Sequence, residues 1–368
     1  MAFRDFETAG VLPVRMLRCF VLSLCLSPGA GGELRAVPAS VPRTAFERSA
    51  YDYSKPTSDN YADPSARLRR EFFNGRVGLD YHHHVRYSVE RQAIQDGIIR
   101  QLLSFEDMQR GKPQREAEWK RLARGARLLA QPKQPWCILT AGAMGAGKTH
   151  VMCALDRHGL MPLNRFVRID MDRIRDLLPE MPEYVRRDKR TAGFMTQREA
   201  GAIAEIVSEE ALARGLNVWI DSSLRDSNWW STELQRLKRT YPHRLAILHV
   251  TAGWEQVQAR EQRRGEVTGR RIPPEVLRAV FNQVPNSIDQ LAQYVDERIE
   301  IDNDSRQPKF KTSGDVRALL RVCREVGGDP ESRMIERWLP GFLQPGGASA
   351  TASKSELPQR ERVGVPPR

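Results

Sequence analysis

The chain has 368 residues, 40% of them hydrophobic, and a formal net charge of +12. That length allows one large domain or two small ones, with a sizeable core. No apolar run approaches the length a helix needs to span a bilayer. The basic balance alone is a weak argument for a nucleic-acid partner, because neither an aromatic-basic module nor a Cys/His zinc spacing accompanies it. The five cysteines, Cys19, Cys25, Cys137, Cys153 and Cys323, are scattered and odd in number. They form no disulfide framework and fit a reducing compartment, with Cys137 a buried thiol in the first core strand.

Residues 1–65 read as a targeting segment or a disordered linker. Arg15 and Arg18 precede the apolar run Cys19 to Leu26, and small residues follow from Gly29 to Gly32. The shape is that of a secretory signal, but the run is short and late; few acids and several arginines suit an organelle transit peptide equally. Residues 46–66 are rich in Ser, Pro, Asp and Tyr, as linkers are. Residues 66–133 form a helical extension, in which Leu68, Phe72 and Phe73 lead and Val89, Ile94, Ile98, Ile99, Leu102 and Leu103 recur at helical spacing. Trp119, Leu122, Leu128 and Leu129 close it. The triplet His82-His83-His84 lacks a carboxylate frame for a metal and reads as a solvated helix face.

Residues 134–312 carry the core domain. Five short apolar runs, 136–141, 166–170, 217–221, 245–250 and 298–302, alternate with helical stretches. Buried strands alternating with helices predict an α/β fold with a parallel, doubly wound sheet, and a site at the carboxyl ends of its strands. Residues 313–340 hold one further helical segment, Val316 to Val326. The Gly/Ala/Ser/Pro-rich tail 341–368 reads as disordered.

The first core strand runs into Gly142-Ala143-Met144-Gly145-Ala146-Gly147-Lys148-Thr149, and a helical stretch follows. Strand, glycine loop and helix are the context of a P-loop. The glycines let backbone N–H groups turn inward on a phosphate, and the helix dipole adds to them. Lys148 is placed for the β/γ-phosphates of ATP and the Thr149 hydroxyl for Mg²⁺. The second strand ends Ile169-Asp170-Met171-Asp172. A kinase acting on a hydroxyl needs a carboxylate beside the acceptor, and Asp172 is placed for it, while Asp170 can cap the next helix. The third strand ends at Asp221, a Walker-B-like acid suited to Mg²⁺, with Ser223 in reach of phosphate or acceptor.

Glu199 and Glu205 interrupt the apolar stripe of the helix 196–214. A carboxylate at Glu205 needs a partner, either a structural cation or an acceptor hydroxyl, and the pattern favours structure. Arg260, Arg263 and Arg264, then Arg270 and Arg271, flank Gly265 to Gly269 and precede Pro273-Pro274. They suggest a hinged lid over triphosphate; the bland alternative is a solvated basic helix.

Together these residues resemble the zeta-toxin family of P-loop kinases, over about Gln134 to Ser305. The resemblance rests on the P-loop, Ile-Asp-x-Asp-x-x-Arg, the Thr196 to Ala200 helix start, Gly-Leu-Asn-Val-Trp-Ile-Asp, Thr-Gly-Arg-Arg-Ile-Pro-Pro and Asp302-Asn303. It implies a P-loop kinase fold and ATP- and Mg²⁺-dependent phosphorylation of a sugar hydroxyl, UDP-N-acetylglucosamine being the acceptor of characterised bacterial members. It further implies Asp172 as base, Lys148 and Thr149 on phosphate and metal, and Glu205 on the acceptor. The phosphate arginines fall near Arg260 or Arg263 and on Arg270 or Arg271. Ser222-Ser223 stand where family members often have Gly-Thr. A kinase of nucleic-acid ends and a non-catalytic ATP-binding module are the alternatives, and an antitoxin-like partner is left open. An ATP-using enzyme suits the cytoplasm, with an organelle or secretion as alternatives.

Overall fold

The computed structural model describes residues 51–104, 134–268, 272–305 and 307–339. The proposed targeting run, the region of Trp119 to Leu129, Arg270, Arg271 and the tail from residue 340 lie outside the described residues. Six strands form one sheet: β1 (Trp136–Ala141), β2 (Phe166–Ile169), β3 (Asn217–Asp221), β4 (Arg244–Thr251), β5 (Glu297–Asp302) and β6 (Lys309–Phe310). Helices precede and separate them: α1 (Thr57–Asn60), α2 (Phe73–Val77), α3 (Val89–Leu103), α4 (Lys148–Arg157), α5 (Met171–Asp176), α6 (Met181–Arg187), α7 (Ala192–Met195), α8 (Gln197–Ala213), α9 (Ser227–Thr240), α10 (Trp254–Thr268), α11 (Pro274–Leu291), α12 (Ser313–Val326) and α13 (Met334–Trp338).

The strand order is β2-β3-β1-β4-β5-β6. The first five strands pair in parallel, as the alternation of strand and helix predicts. The short sixth strand is a correction. Phe310 and Lys309 pair antiparallel to Ile301 and Asp302, so the sheet is mixed. Two residues give no readable period, and only the neighbouring strand reveals them. From β1 the chain crosses to β2 on one side, fills the gap with β3, and then places β4 on the other side. The order therefore reverses at β1, and a crevice opens at its carboxyl end.

Side chains alternate across β1. Cys137, Leu139 and Ala141 enter one apolar core with α8 and with Tyr87, Ile98, Ile99 and Leu102 of the N-terminal region. Trp136 and Ile138 enter the other, with Val151 and Leu155 of α4, Leu319 and Cys323 of α12, and Trp338 of α13. Burial on both faces is why the strands read as continuous apolar runs. Cys137 is a buried thiol in β1, as expected, and none of the described cysteines, Cys137, Cys153 and Cys323, is in a disulfide. Burial pushes the Cys137 thiol up to about 12, which keeps it an inert core group. No helix among the described residues is long and apolar enough to cross a membrane.

Two expectations for the N-terminal region change. From Tyr51 onward the expected linker is packed on the domain. The Tyr51 hydroxyl meets that of Tyr184 at 2.7 Å, and Tyr61 donates to Glu180 at 2.6 Å. The tyrosines give a polar, proline-containing stretch enough ring area and hydroxyl bonding to hold it down. The histidine triplet lies in a turn between α2 and α3, and His84 is buried.

Candidate functional site

The loop after β1 takes its shape from glycine. Gly142, Gly145 and Gly147 have φ of 144°, 87° and 92°. At Gly142 a Cβ would strike the Val250 carbonyl, and at Gly147 the Asn303 side-chain amide. Both positions therefore need glycine for conformation and for space. Gly147 is the N-cap of α4 without contributing a side-chain cap, so the helix opens with backbone N–H groups and Lys148 at its first turn. Lys148 Nζ donates to the Gly142 carbonyl at 3.2 Å and lies 4.0 Å from Asp221 Oδ1. Thr149 follows on α4. Asp221 also accepts from the Thr140 hydroxyl at 3.0 Å. Burial pushes the Asp221 carboxyl up, with Lys148 pulling the other way. The structure thus brings Lys148 and Asp221 together.

At the end of β2 the two aspartates divide their work. Asp170 caps α5, accepting from the Asp172 and Arg173 N–H groups, and also accepts from Arg168 at 2.6 Å. Asp172, in the first turn of α5, accepts from Arg175 Nη1 at 2.6 Å and from Arg264 Nη2 at 3.1 Å. Its side chain is 44% exposed.

Arg264 reaches Asp172 from α10, four residues beyond Arg260. Arg260 turns to the loop backbone instead of outward. Its Nη2 donates to the Asn303 carbonyl at 2.8 Å and its Nη1 to the Ala146 carbonyl at 3.4 Å. Arg263 lines a cleft of about 460 Å³ with Arg260, Gln256, Ala259, Asp304 and Ser305. A small apolar cluster of Ala143, Val257, Ile272 and Leu277 joins this arm to the loop. Reading the sequence missed the Arg264–Asp172 pair; the available signal was the four-residue helical spacing from Arg260, which puts both on one helix face.

On α8 the structure gives Glu205 a side-chain partner. Glu205 is buried, and His84 Nε2 lies 2.8 Å from its Oε1. Burial pushes the Glu205 carboxyl up, and the His84 contact opposes this. Glu205 sits eight positions along α8 from Gln197, which contacts Arg175. At a rise of about 1.5 Å per residue that is about 12 Å along the helix, away from Asp172. The partner is structural, the reading the residue pattern alone favoured. In the first turn of α8, Glu199 accepts from Arg91 Nε at 2.6 Å, while Arg91 Nη1 and Nη2 each reach Glu180 at 2.8 Å. Gln95 donates to Glu199 at 2.9 Å, and Arg91 stacks on Tyr61. Ser223 is half-buried in the loop after β3. There Leu224 holds a φ of 54°, with its carbonyl accepting from Ser287. A non-glycine residue in that region is strained, and here it lies beside the crevice.

A reversal of strand order at β1, a glycine nest on its end and a helix opening with Lys-Thr define a P-loop protein of the kinase type. The Zeta toxin family model matches residues 120–311, and the chain belongs to that family. Residues 51–104 stand outside the match. Among solved structures, the chain is similar to one of the PezAT chromosomal toxin–antitoxin system of Streptococcus pneumoniae, at 19% identity over 59% of this chain and 97% of that one, with a TM-score of 0.42. It is also similar to AvrRxo1-ORF1:AvrRxo1-ORF2 crystallised with ATP, at 15% identity over 67% of this chain and 73% of that one, with a TM-score of 0.43. No curated protein sequence matches it.

Proposed function

We propose that the protein transfers the γ-phosphoryl group of ATP to a hydroxyl of a small molecule, with a nucleotide-sugar such as UDP-N-acetylglucosamine the first acceptor to test. The observation that carries this reading is the glycine nest at the start of α4, with Lys148 and Asp221 beside it and Asp172 at the end of the next strand but one. In this reading the N–H groups from Gly142 to Thr149 hold the β- and γ-phosphates, and Lys148 follows the charge on the transferred group. Asp172 takes the acceptor's proton, oriented by Arg175 and Arg264. Arg263, Arg270 and Arg271 neutralise phosphate charge from the arm.

Thr149 and Asp221 are the groups to hold Mg²⁺. A hydroxyl and a carboxylate oxygen suit a hard cation, and a carboxyl raised by burial gains from a cation beside it. The ion would supply charge neutralisation on the phosphates. Ser223 and the mouth of the crevice are left for the acceptor; Glu205 contributes only if its pair with His84 opens.

The test is transfer of labelled phosphate from ATP onto a panel of nucleotide-sugars, nucleotides and oligonucleotides, by wild type and by Asp172→Asn. Transfer onto one class by wild type, lost in the variant while ATP still binds, supports the reading. Transfer onto oligonucleotides with steep salt dependence would favour a nucleic-acid-end kinase. ATP binding with no transfer to any class would leave a regulatory module.

A further inference from the structure

The carbonyl of Ala146 collects two donors from behind the loop. Asn303 sends its side-chain Nδ2 to it at 2.7 Å, and Arg260 adds a longer contact at 3.4 Å. Asn303 is itself held from two directions. Its N–H donates to the Thr251 carbonyl at 2.7 Å, and its carbonyl accepts from Arg260 at 2.8 Å. The residue is buried, 3% exposed, at the end of β5. It stands so close to Gly147 that a Cβ there would meet its amide. Only the amide nitrogen can face a carbonyl favourably, so the direction of this bond is fixed.

A trans peptide points its C=O and N–H to opposite sides. Pinning the Ala146 carbonyl back toward β5 therefore turns the Gly147 N–H forward, into the hollow of the loop. We propose that Asn303 is a positioning residue that sets the Ala146–Gly147 peptide so that the Gly147 N–H meets a nucleotide phosphate. This rests on the reading of the loop as a phosphate site. Arg260 serves the same peptide, which accounts for an arginine of the arm spending its donors on backbone carbonyls, those of Ala146, Asn303 and Asp304. The donor is buried and preset, so the peptide needs no reorganisation when phosphate arrives.

The experiment compares ATP, ADP and adenosine binding to wild type, Asn303→Ala and Asn303→Leu by calorimetry and competition. Leu keeps the shape of Asn without the donor. Loss of one buried hydrogen bond to the loop should weaken ATP and ADP about tenfold. Adenosine affinity should not move, because no phosphate is involved. Once the acceptor is known, KM for ATP should rise with kcat retained at saturating ATP. Wild type supplies a second readout that needs no variant: the Gly147 amide proton should shift downfield when inorganic pyrophosphate or ADP is added. Equal ATP affinity in both variants, parallel weakening of adenosine, or a Gly147 amide unmoved by ADP would each overturn the proposal. If wild type binds neither ATP nor ADP, the phosphate reading of the loop fails first and this proposal falls with it.

Discussion

On the P-loop side of the crevice the working groups are backbone amides, fixed by glycines and by Val250, Val257 and Asn303 packed behind them. On the side of α5 to α8 they are charged side chains, fixed by partners far away in sequence. Arg91 and Glu199 are 108 positions apart, and His84 and Glu205 are 121 apart. The two sides solve the same problem, holding polar groups still, at different risk. A backbone nest stays satisfied by water whenever it is empty. A buried carboxylate must keep its cation always, because losing it strands a charge in a poor dielectric. Arg91, in a segment outside the family match, is therefore the permanent counter-charge of Glu180 and Glu199.

Substitutions can break that contrast. Asp172→Asn removes the proposed base and should lower transfer by about 10²–10⁴-fold with ATP binding retained, measured by labelled-phosphate transfer and calorimetry. If ATP binding vanishes as well, the two sides are not separable. Arg91→Met leaves Glu180 and Glu199 without their guanidinium. It should cost about 3–5 kcal/mol of stability in urea unfolding, and a loss below about 1 kcal/mol would mean that residues 51–104 are an accessory layer. His84→Ala strands one buried carboxylate and should cost about 1–3 kcal/mol. Glu205→Gln should cost less than His84→Ala in the same assay, since its amide oxygen still accepts from His84. Arg264→Ala should cost transfer about tenfold through loss of charge beside the reacting groups. The pair it breaks is half-exposed, so the melting curve should move by less than about 1 kcal/mol.

How much was legible in the sequence follows the same contrast. The P-loop depends on spacing along one segment, so Gly142 to Thr149, Asp221 and the strands around them could be read residue by residue. The five parallel strands were visible because burial on both faces makes each a continuous apolar run. The capping role of Asp170 was visible too, because a cap acts on its own next turn. The acceptor side was not. Arg91 looks like any arginine on an amphipathic helix until α8 is laid across it, and His84 sits in a triplet that patterning assigns to solvent. Glu205 broke an apolar stripe, which signalled a partner without naming it. β6 is too short for any period, and the Arg260–Ala146–Asn303 contacts tie segments brought together only by the sheet order. The histidine turn and the packed tyrosines of residues 51–61 fail for the same reason: tertiary partners override composition.

The smallest effect tests whether the two sides share an electrostatic rule. Burial raises the Asp221 carboxyl on the P-loop side, and the charges of Lys148 and Arg168 offset this only in part. The folded carboxyl then takes up its proton at higher pH than the unfolded one. Between those two values the folded state binds more protons than the unfolded chain, so stability falls as pH rises through that window and is fullest below the unfolded value. Asp221→Asn removes that slope. Without nucleotide or Mg²⁺ at neutral pH, the variant should melt slightly above wild type and lose the downward trend, while its transfer activity collapses. Adding Mg²⁺ with ATP should reverse the order, since only wild type has the carboxylate to hold the ion. A variant that melts lower at every pH would mean that the Lys148 contact outweighs burial, and that the P-loop side, like the acceptor side, rests on a permanent ion pair.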